Sequence, residues 1–138
     1  MKKQYLGLDL GTKTVGIAYS SSGIIASALH TFRFEEHRYE LAVKHIQSLI
    51  DEYRITDVII GLPKHMNNDE GERAKHSAWF KNELKHVDIT LWDERLSTKS
   101  AMHAMRAMGA SNKQKKEHKD TLAAVVILQN YLDSKESI

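Results

Sequence analysis

The chain has 138 residues, of which 41% are hydrophobic and 28% are charged, close to the averages for a soluble globular domain. This composition excludes a disordered chain, and the lack of cysteine excludes disulfides, thiolate zinc sites and a cysteine nucleophile. No apolar run approaches the roughly 20 residues that span a bilayer, and the N-terminus lacks the apolar segment of a signal peptide. We therefore expect a single cytoplasmic domain over residues 1–138 with no membrane partner.

Basic residues are concentrated late in the chain. The formal net charge is only +2, yet residues 97–119 contain six Lys or Arg and one Glu, a local charge of +5. The rest of the chain therefore carries about −3. A basic segment on a mildly acidic body suggests a polyanionic partner. A solvated, charged loop explains the same distribution equally well.

The first half of the chain is dominated by strand patterns. Strands are predicted over residues 3–10, 14–20 and 23–33, and their short connections favour an antiparallel meander. Apolar residues between Leu41 and Ile50 recur at helical spacing and predict a helix over 36–53. A short β-branched strand, Thr56 to Ile60, follows.

The second half alternates helices and strands. A polar loop over 64–70 is followed by a predicted helix over 71–86, a strand from Asp88 to Trp92 and a helix from Ser97 to Met108. Residues 110–118 form a predicted lysine-rich loop, and the helix over 119–132 is apolar almost all round, so we expect it to be buried. The order βββαβαβαα predicts an α/β fold with a mixed sheet, helices on its faces and the first strand in the middle.

A carboxylate, Asp9, lies near the end of the first predicted strand, which is expected at the centre of the sheet. Alternation along the strand separates two sets of residues, Leu6, Leu8 and Leu10 on one face and Gly7, Asp9 and Gly11 on the other. A carboxylate on a central strand is costly unless its charge is compensated. A metal ion would compensate it, and the flanking glycines would leave room for a phosphate. The alternative is a structural Asp9 bonded to backbone amides near a turn.

A second pair of acids, Asp93 and Glu94, follows the fifth predicted strand. Ligands collect at the carboxyl ends of parallel strands in open α/β sheets, which favours a functional role here. Capping of the next helix by Ser97 or Thr98, with the acids near its positive end, is the alternative. Strand alternation places Asp93 and Glu94 on different faces, but it does not choose between them.

A third acid, Asp120, opens the last helix on the same stripe as Ala123 and Ala124. These small residues would let the helix approach the sheet closely, although an N-cap role explains Asp120 as well. Three carboxylates favour Mg²⁺ or Mn²⁺ as the bound ion and suit phosphodiester hydrolysis. No two of the eight histidines lie two to four residues apart, so we expect surface histidines rather than ligands.

Several basic residues could contact phosphates, although surface lysines are common and each has a solvated alternative. The loop over 110–118 is expected to close over nucleic acid beside Asp120. The predicted nucleic-acid contacts are Lys13, Lys64, Arg73, Arg95, Lys113, Lys115 and Lys116.

Five motifs occur in order along the chain: Gly7-x-Asp9-x-Gly11-x-Lys13-x-x-Gly16, Gly61-Leu62-Pro63 with Gly71-x-Arg73-Ala74, Asp93-Glu94-Arg95-Leu96-Ser97-Thr98, Lys119-Asp120-x-x-Ala123-Ala124, and Ile127-Leu128-Gln129-x-Tyr131-Leu132. On these motifs nearly the whole chain resembles the YqgF family, also called RuvX, of small RNase H-fold proteins. One departure is Asn67-Asn68-Asp69-Glu70, where the family often has a glycine-containing turn.

The resemblance implies an RNase H-like, RuvC-like five-stranded sheet of order 3-2-1-4-5. It implies a nuclease that depends on Mg²⁺ or Mn²⁺, with Asp9, Glu94 and Asp120 as its catalytic and metal-binding acids. It also selects Glu94 over Asp93, which the spacing leaves open.

The resemblance favours precursor 16S rRNA as substrate, cut at its 5′ end, with the ribosome or ribosome-associated factors as partners. A Holliday junction resolvase acting on a four-way DNA junction is the alternative, and a symmetric junction would require a dimer that the sequence does not reveal. An RNA-binding module without cleavage is a further alternative. Leu8 to Thr14 also resembles the first phosphate loop of sugar-kinase-type ATPases, but those proteins need roughly twice this length.

Overall fold

A computed structural model of the protein describes residues 3–62, 68–93 and 119–136. The elements in these ranges are β1 (Tyr5–Leu10), β2 (Thr14–Ser20), β3 (Ser27–Arg33), α1 (Tyr39–Tyr53), β4 (Asp57–Leu62), α2 (Asn68–Glu83), β5 (Asp88–Asp93) and α3 (Lys119–Glu136). The predicted helix from Ser97 to Met108 and the loop over 110–118 lie outside the described residues. None of the described helices is long and apolar enough to cross a membrane.

The five strands form one mixed sheet of order β3-β2-β1-β4-β5, which confirms the expected topology. Strand β1 is antiparallel to β2 and parallel to β4. The outer pairs follow the same division, since β2 and β3 are antiparallel and β4 and β5 are parallel. Short turns join the antiparallel strands, whereas α1 and α2 provide the crossovers that parallel strands require. As predicted, β1 lies in the middle.

One face of the sheet packs against α1 and α2. The three leucines of β1 are fully or almost fully buried there, with Val15 and Ile17 of β2 beside them. Leu41, the first apolar residue of the predicted helical pattern, is 36% exposed and does not belong to the buried stripe of α1. The buried stripe consists of Tyr39, Ala42, Ile46, Leu49 and Ile50.

The other face packs against α3, and the two approach closely at one glycine. A Cβ atom added to Gly7 would lie 2.6 Å from Leu128 Cβ and 2.9 Å from the Ala124 carbonyl oxygen. Any side chain at position 7 would therefore displace the helix. No side chain from Thr121 to Ser134 is exposed, which confirms the prediction of a buried last helix.

Strand β3 begins at Ser27 rather than at residue 23, because a polar turn precedes it. Gly23 has φ +76°, a left-handed conformation that glycine adopts without strain. The Ser20 hydroxyl accepts the Gly23 N–H, and the Ser22 hydroxyl accepts the N–H groups of Ile24 and Ile25. The two isoleucines are consequently exposed at the tip of a structured turn.

Helix boundaries also differ from the prediction. Helix α1 starts at Tyr39 rather than 36, just after His37 with φ 66°. Helix α2 spans Asn68–Glu83 rather than 71–86, and His86 with φ 68° follows it. Helix α3 continues to Glu136 rather than 132. Positive φ beside a helix is usually marked by glycine, because it is uncommon for other residues. At these two positions the residue is histidine, so the sequence carries no signal for the helix boundaries.

Candidate active site

Asp9 lies on the central strand, on the face that packs against α3. It is half-buried, and it shares this face with Gly7, the residue that α3 contacts. The leucines on either side of Asp9 are buried on the opposite face. Among the three predicted acids, Asp9 is the one whose side chain the structure describes, and its predicted face is confirmed.

A row of aligned residues leads from Asp9 to the edge of the sheet. Asp9 is opposite Gly16 on β2, and Gly16 is opposite Thr31 on β3. Residues directly opposite each other in a sheet share a face, so all three lie on the α3 side. Because Gly16 has no side chain, the carboxylate of Asp9 and the hydroxyl of Thr31 lie on the same face of the sheet with no side chain between them in this row.

Helix α3 meets this same row at its N-terminal end. The Thr121 hydroxyl, almost fully buried, forms a hydrogen bond with the Thr31 hydroxyl. Asp120 immediately precedes Thr121 in the helix, although its side chain is outside the described residues. The backbone of the third predicted acid therefore lies at the end of α3 that faces the Asp9 row.

The structure distinguishes the two acids at the C-terminal end of β5, Asp93 and Glu94. Ile89 and Leu91 pack against the α1 side of the sheet, whereas Trp92 packs against the α3 side. Alternation then places Asp93, the last residue of β5, on the face opposite Asp9. Glu94 lies outside the described residues. The position of Asp93 excludes it from the Asp9 face, which agrees with the selection of Glu94.

The turn between β1 and β2 is fixed by its backbone. Gly11 N–H donates to the Thr14 carbonyl at 2.8 Å, and Phe34 N–H donates to the Lys13 carbonyl at 2.9 Å. Lys13 is exposed, and its Nζ is 4.0 Å from a carboxylate oxygen of Glu36. An exposed pair at this distance contributes little stability, so the ammonium group can turn toward a phosphate.

The remaining predicted contacts are not tested by the geometry. The backbone of Arg73 belongs to α2, but its side chain is outside the described residues. Outside them as well lie Lys64, Arg95, Lys113, Lys115 and Lys116. Among the described residues no group of three or more His, Asp or Glu side chains could hold a metal ion.

A pair of histidines that the sequence did not reveal lies on the opposite face. His30 Nε2 of β3 and His45 Nε2 of α1 are 2.7 Å apart, and Phe32 stacks on His45. Burial, together with the neighbouring His30, lowers the pKa of His45. The two residues are 15 positions apart on different kinds of element, so no local spacing could have indicated the pair. The pair shares the face of Ile17, opposite Asp9.

Comparison with known families gives a match over almost the whole chain. Residues 3–134 match the family model RuvX, described as Holliday junction resolvase. A protein of Aster yellows witches'-broom phytoplasma named "Putative pre-16S rRNA nuclease" is 47% identical over 132 residues, covering 93% of this chain and 87% of its own. A protein of Geobacillus sp. with the same name is 44% identical, covering 95% of this chain and 98% of its own.

Solved structures show the same fold at low identity. RuvC of T. thermophilus in complex with a Holliday junction substrate superposes with a TM-score of 0.69 at 12% identity, covering 98% of this chain and 96% of that one. A second structure, described as "Thermus thermophilus RuvC structure", superposes with a TM-score of 0.64 at 12% identity. The sheet is therefore RNase H-like in the RuvC manner.

Proposed function

Because this chain belongs to the RuvX family and is accordingly a nuclease, we propose that it processes the 5′ end of precursor 16S rRNA. The observation that carries this proposal is Asp9. A half-buried carboxylate stands on the central strand of an RNase H-like sheet, with the N-terminal end of α3 over the same face. The names of relatives at 47% and 44% identity favour RNA as the substrate.

The acids proposed for catalysis and metal binding are Asp9, Glu94 and Asp120. The observable part of this set fits a hard divalent cation, because Asp9 offers carboxylate oxygens on a half-buried face of the central strand. The space beside Gly7, expected to admit a phosphate, is instead occupied by α3. One or two Mg²⁺ or Mn²⁺ ions held there would activate water and stabilise the leaving oxygen of the phosphodiester. Asp9, fixed on a strand paired on both sides, would hold its carboxylate in place without a change of backbone.

Basic residues would bind the phosphates of the substrate. Lys13, on a turn whose backbone is fixed by hydrogen bonds, would contact a phosphate of the substrate. The loop over 110–118 would add Lys113, Lys115 and Lys116. Each phosphate contact contributes to the salt dependence of binding, so replacing these three lysines by Ala should weaken binding and flatten its salt slope. An unchanged slope would remove this loop from the proposed interface.

The proposed site of action is the cytoplasm, on the ribosome or with ribosome-associated factors. The sugar-kinase-type ATPase interpretation loses its support, since the nuclease family model covers residues 3–134. A Holliday junction resolvase remains the second candidate, because the family description and the RuvC structural neighbour both concern four-way junctions.

The deciding experiment compares two substrates with one protein. Labelled single-stranded RNA matching the 16S precursor end and a four-way DNA junction are each incubated with Mg²⁺ or Mn²⁺, against EDTA and the Asp9→Asn variant. Metal-dependent cleavage of the RNA alone, lost in Asp9→Asn, is the expected result. Paired symmetric cuts in the junction would replace this proposal by the resolvase. Binding of RNA without cleavage of either substrate would identify a binding module.

A further inference from the structure

Between Thr121 and Ser134, helix α3 has no fully exposed stripe, and its least buried side, which carries Leu122, Val126, Gln129 and Asp133, is still half-buried. Side chains from Thr121 to Ser134 are buried or half-buried all round. A helix with little difference in burial between its sides gains similar burial at neighbouring rotations, because the hydrophobic effect is non-directional. The orientation of α3, and with it the position of Asp120, must therefore depend on more specific contacts.

Two polar contacts, eight residues apart, fix α3 to the β2–β3 hairpin. The first is the hydrogen bond between Thr121 and Thr31. In the second, Gln129 Oε1 accepts the Ala26 N–H at 2.9 Å while Gln129 Nε2 donates to the Ile24 carbonyl at 2.8 Å. Eight residues are about 2.2 helical turns, so the two contacts hold the helix from directions about 80° apart around its axis.

The close contact at Gly7 lies between these two polar contacts along the helix. Ala124 and Leu128 meet the backbone of β1 there, which fixes how closely α3 approaches the sheet. Rotating α3 by one residue, about 100°, would break both polar contacts and move Ala124 away from Gly7. The three contacts together allow one register.

We propose that Thr31 and Thr121 are positioning residues for the third carboxylate, Asp120. Thr31 stands in the row of Asp9, and Thr121 follows Asp120 directly, so their hydrogen bond ties the N-terminal turn of α3 to the level of Asp9. Gln129 holds the same helix two turns further on. This inference rests on the proposed nuclease function of the site.

The test replaces both hydroxyls by methyl groups in the double variant Thr31→Val/Thr121→Val. Replacing both partners of a hydrogen bond by apolar groups of the same shape is nearly neutral for stability, so the melting temperature should stay close to that of the unmodified protein. We expect kcat for the cleaved substrate to fall about 10-fold or more with KM unchanged, the usual effect of losing a group that orients a metal ligand. Thr31→Ser/Thr121→Ser, which keeps both hydroxyls, should restore kcat.

A second readout does not depend on cleavage. Mn²⁺ alone is titrated into each protein by calorimetry, and the double valine variant should bind it about 10-fold more weakly. Thr90→Val, a half-buried threonine on β5, is the matched control and should leave both kcat and Mn²⁺ affinity unchanged. If the double variant does not fold, Thr31→Val alone, on the half-buried edge strand, serves for the same comparison.

The outcomes separate this inference from the proposed function. If the unmodified protein cleaves, Asp9→Asn does not, and the double valine variant matches the unmodified protein in kcat and Mn²⁺ affinity, only the positioning role is overturned. If the unmodified protein cleaves neither substrate but binds Mn²⁺, the nuclease proposal fails, and the two Mn²⁺ affinities still decide the role of Thr31 and Thr121. If it neither cleaves nor binds Mn²⁺, both proposals fail.

Discussion

The two faces of strand β1 are built from different residues and held by different interactions. On the α1 side, three leucines are buried among aliphatic and aromatic side chains, and apolar packing fixes the helices. On the α3 side, Gly7 lets the helix approach the sheet closely and Asp9 adds a carboxylate, and hydrogen bonds to a hairpin supplement the apolar packing of the helix. A substitution on the α1 side can therefore change the stability of the protein without changing its chemistry. A substitution on the α3 side that disturbs packing is expected to disturb the proposed site as well.

Asp9→Asn should separate activity from stability most strongly. Metal ligation supplies several kcal/mol of transition-state stabilisation, so we expect cleavage to fall at least about 100-fold. The melting temperature should stay the same or rise, because a half-buried carboxylate becomes neutral. Single-turnover cleavage checks the loss of activity, and thermal unfolding of the same preparation checks the melting temperature. Retained cleavage would contradict a catalytic role for the α3 face.

Leu8→Ala should show the opposite separation. Leu8 is fully buried on the α1 side, and removing such a side chain costs about 2–5 kcal/mol of unfolding free energy. Because Leu8 points away from Asp9, cleavage by the folded fraction should be nearly unchanged. Urea unfolding gives the first value, and kcat measured well below the melting temperature gives the second. A large loss of kcat would show that the two faces are not separable.

Gly7→Ala should lower stability and activity together. The added Cβ would lie 2.6 Å from Leu128 Cβ, and such overpacking costs about 1–3 kcal/mol. Helix α3 must move away to accept it, which displaces the N-terminal end that carries Asp120. We expect a loss of kcat that Leu8→Ala does not show, although Leu8→Ala is destabilised at least as much. Equal kcat values for the two variants would refute the link between α3 packing and the site.

The smallest expected effect is a pH dependence of stability from the α1 side. The folded state lowers the pKa of His45 below that of the unfolded chain, about 6.5. As the pH falls, the unfolded state takes up a proton on His45 before the folded state does. The free energy of unfolding is therefore highest above about pH 6.5 with respect to this group, and it decreases as the pH falls below that value.

The pH effect is measured as the melting temperature between pH 7.5 and 5.5. His45→Phe, which keeps an aromatic ring beside Phe32, should reduce the decrease seen for the unmodified protein. His86→Asn is the control, since His86 is exposed and Asn tolerates its positive φ. An identical decrease in His45→Phe would assign the pH effect to other groups.

The sequence was sufficient for those features that arise from local alternation and helical spacing. The order of strands and helices, the two faces of β1 and the buried last helix all follow from the spacing of apolar residues. Strand alternation also put Asp93 and Glu94 on different faces, and the packing of Leu91 and Trp92 now shows which face belongs to Asp93.

Features that depend on backbone conformation or distant contacts could not be read from the sequence. The ends of α1 and α2 lie beside His37 and His86, whose left-handed conformations have no residue signal. The pairs His30–His45 and Thr31–Thr121 join residues far apart in the chain, so only the folded sheet brings them together. The roles of Asp9, Glu94 and Asp120 and the single domain over 1–138 stay predictions.

The place of α3 in chain order has a consequence for synthesis. Every described strand of the sheet precedes α3, and the β1–β2–β3 meander is built from contacts between neighbouring parts of the chain. A ribosome-bound nascent chain can therefore complete its sheet, with Asp9 in place, before residues 119–136 leave the exit tunnel. Under the proposed site, Asp9 acquires the carboxylate of Asp120 as a neighbour only when α3 docks on the paired strands.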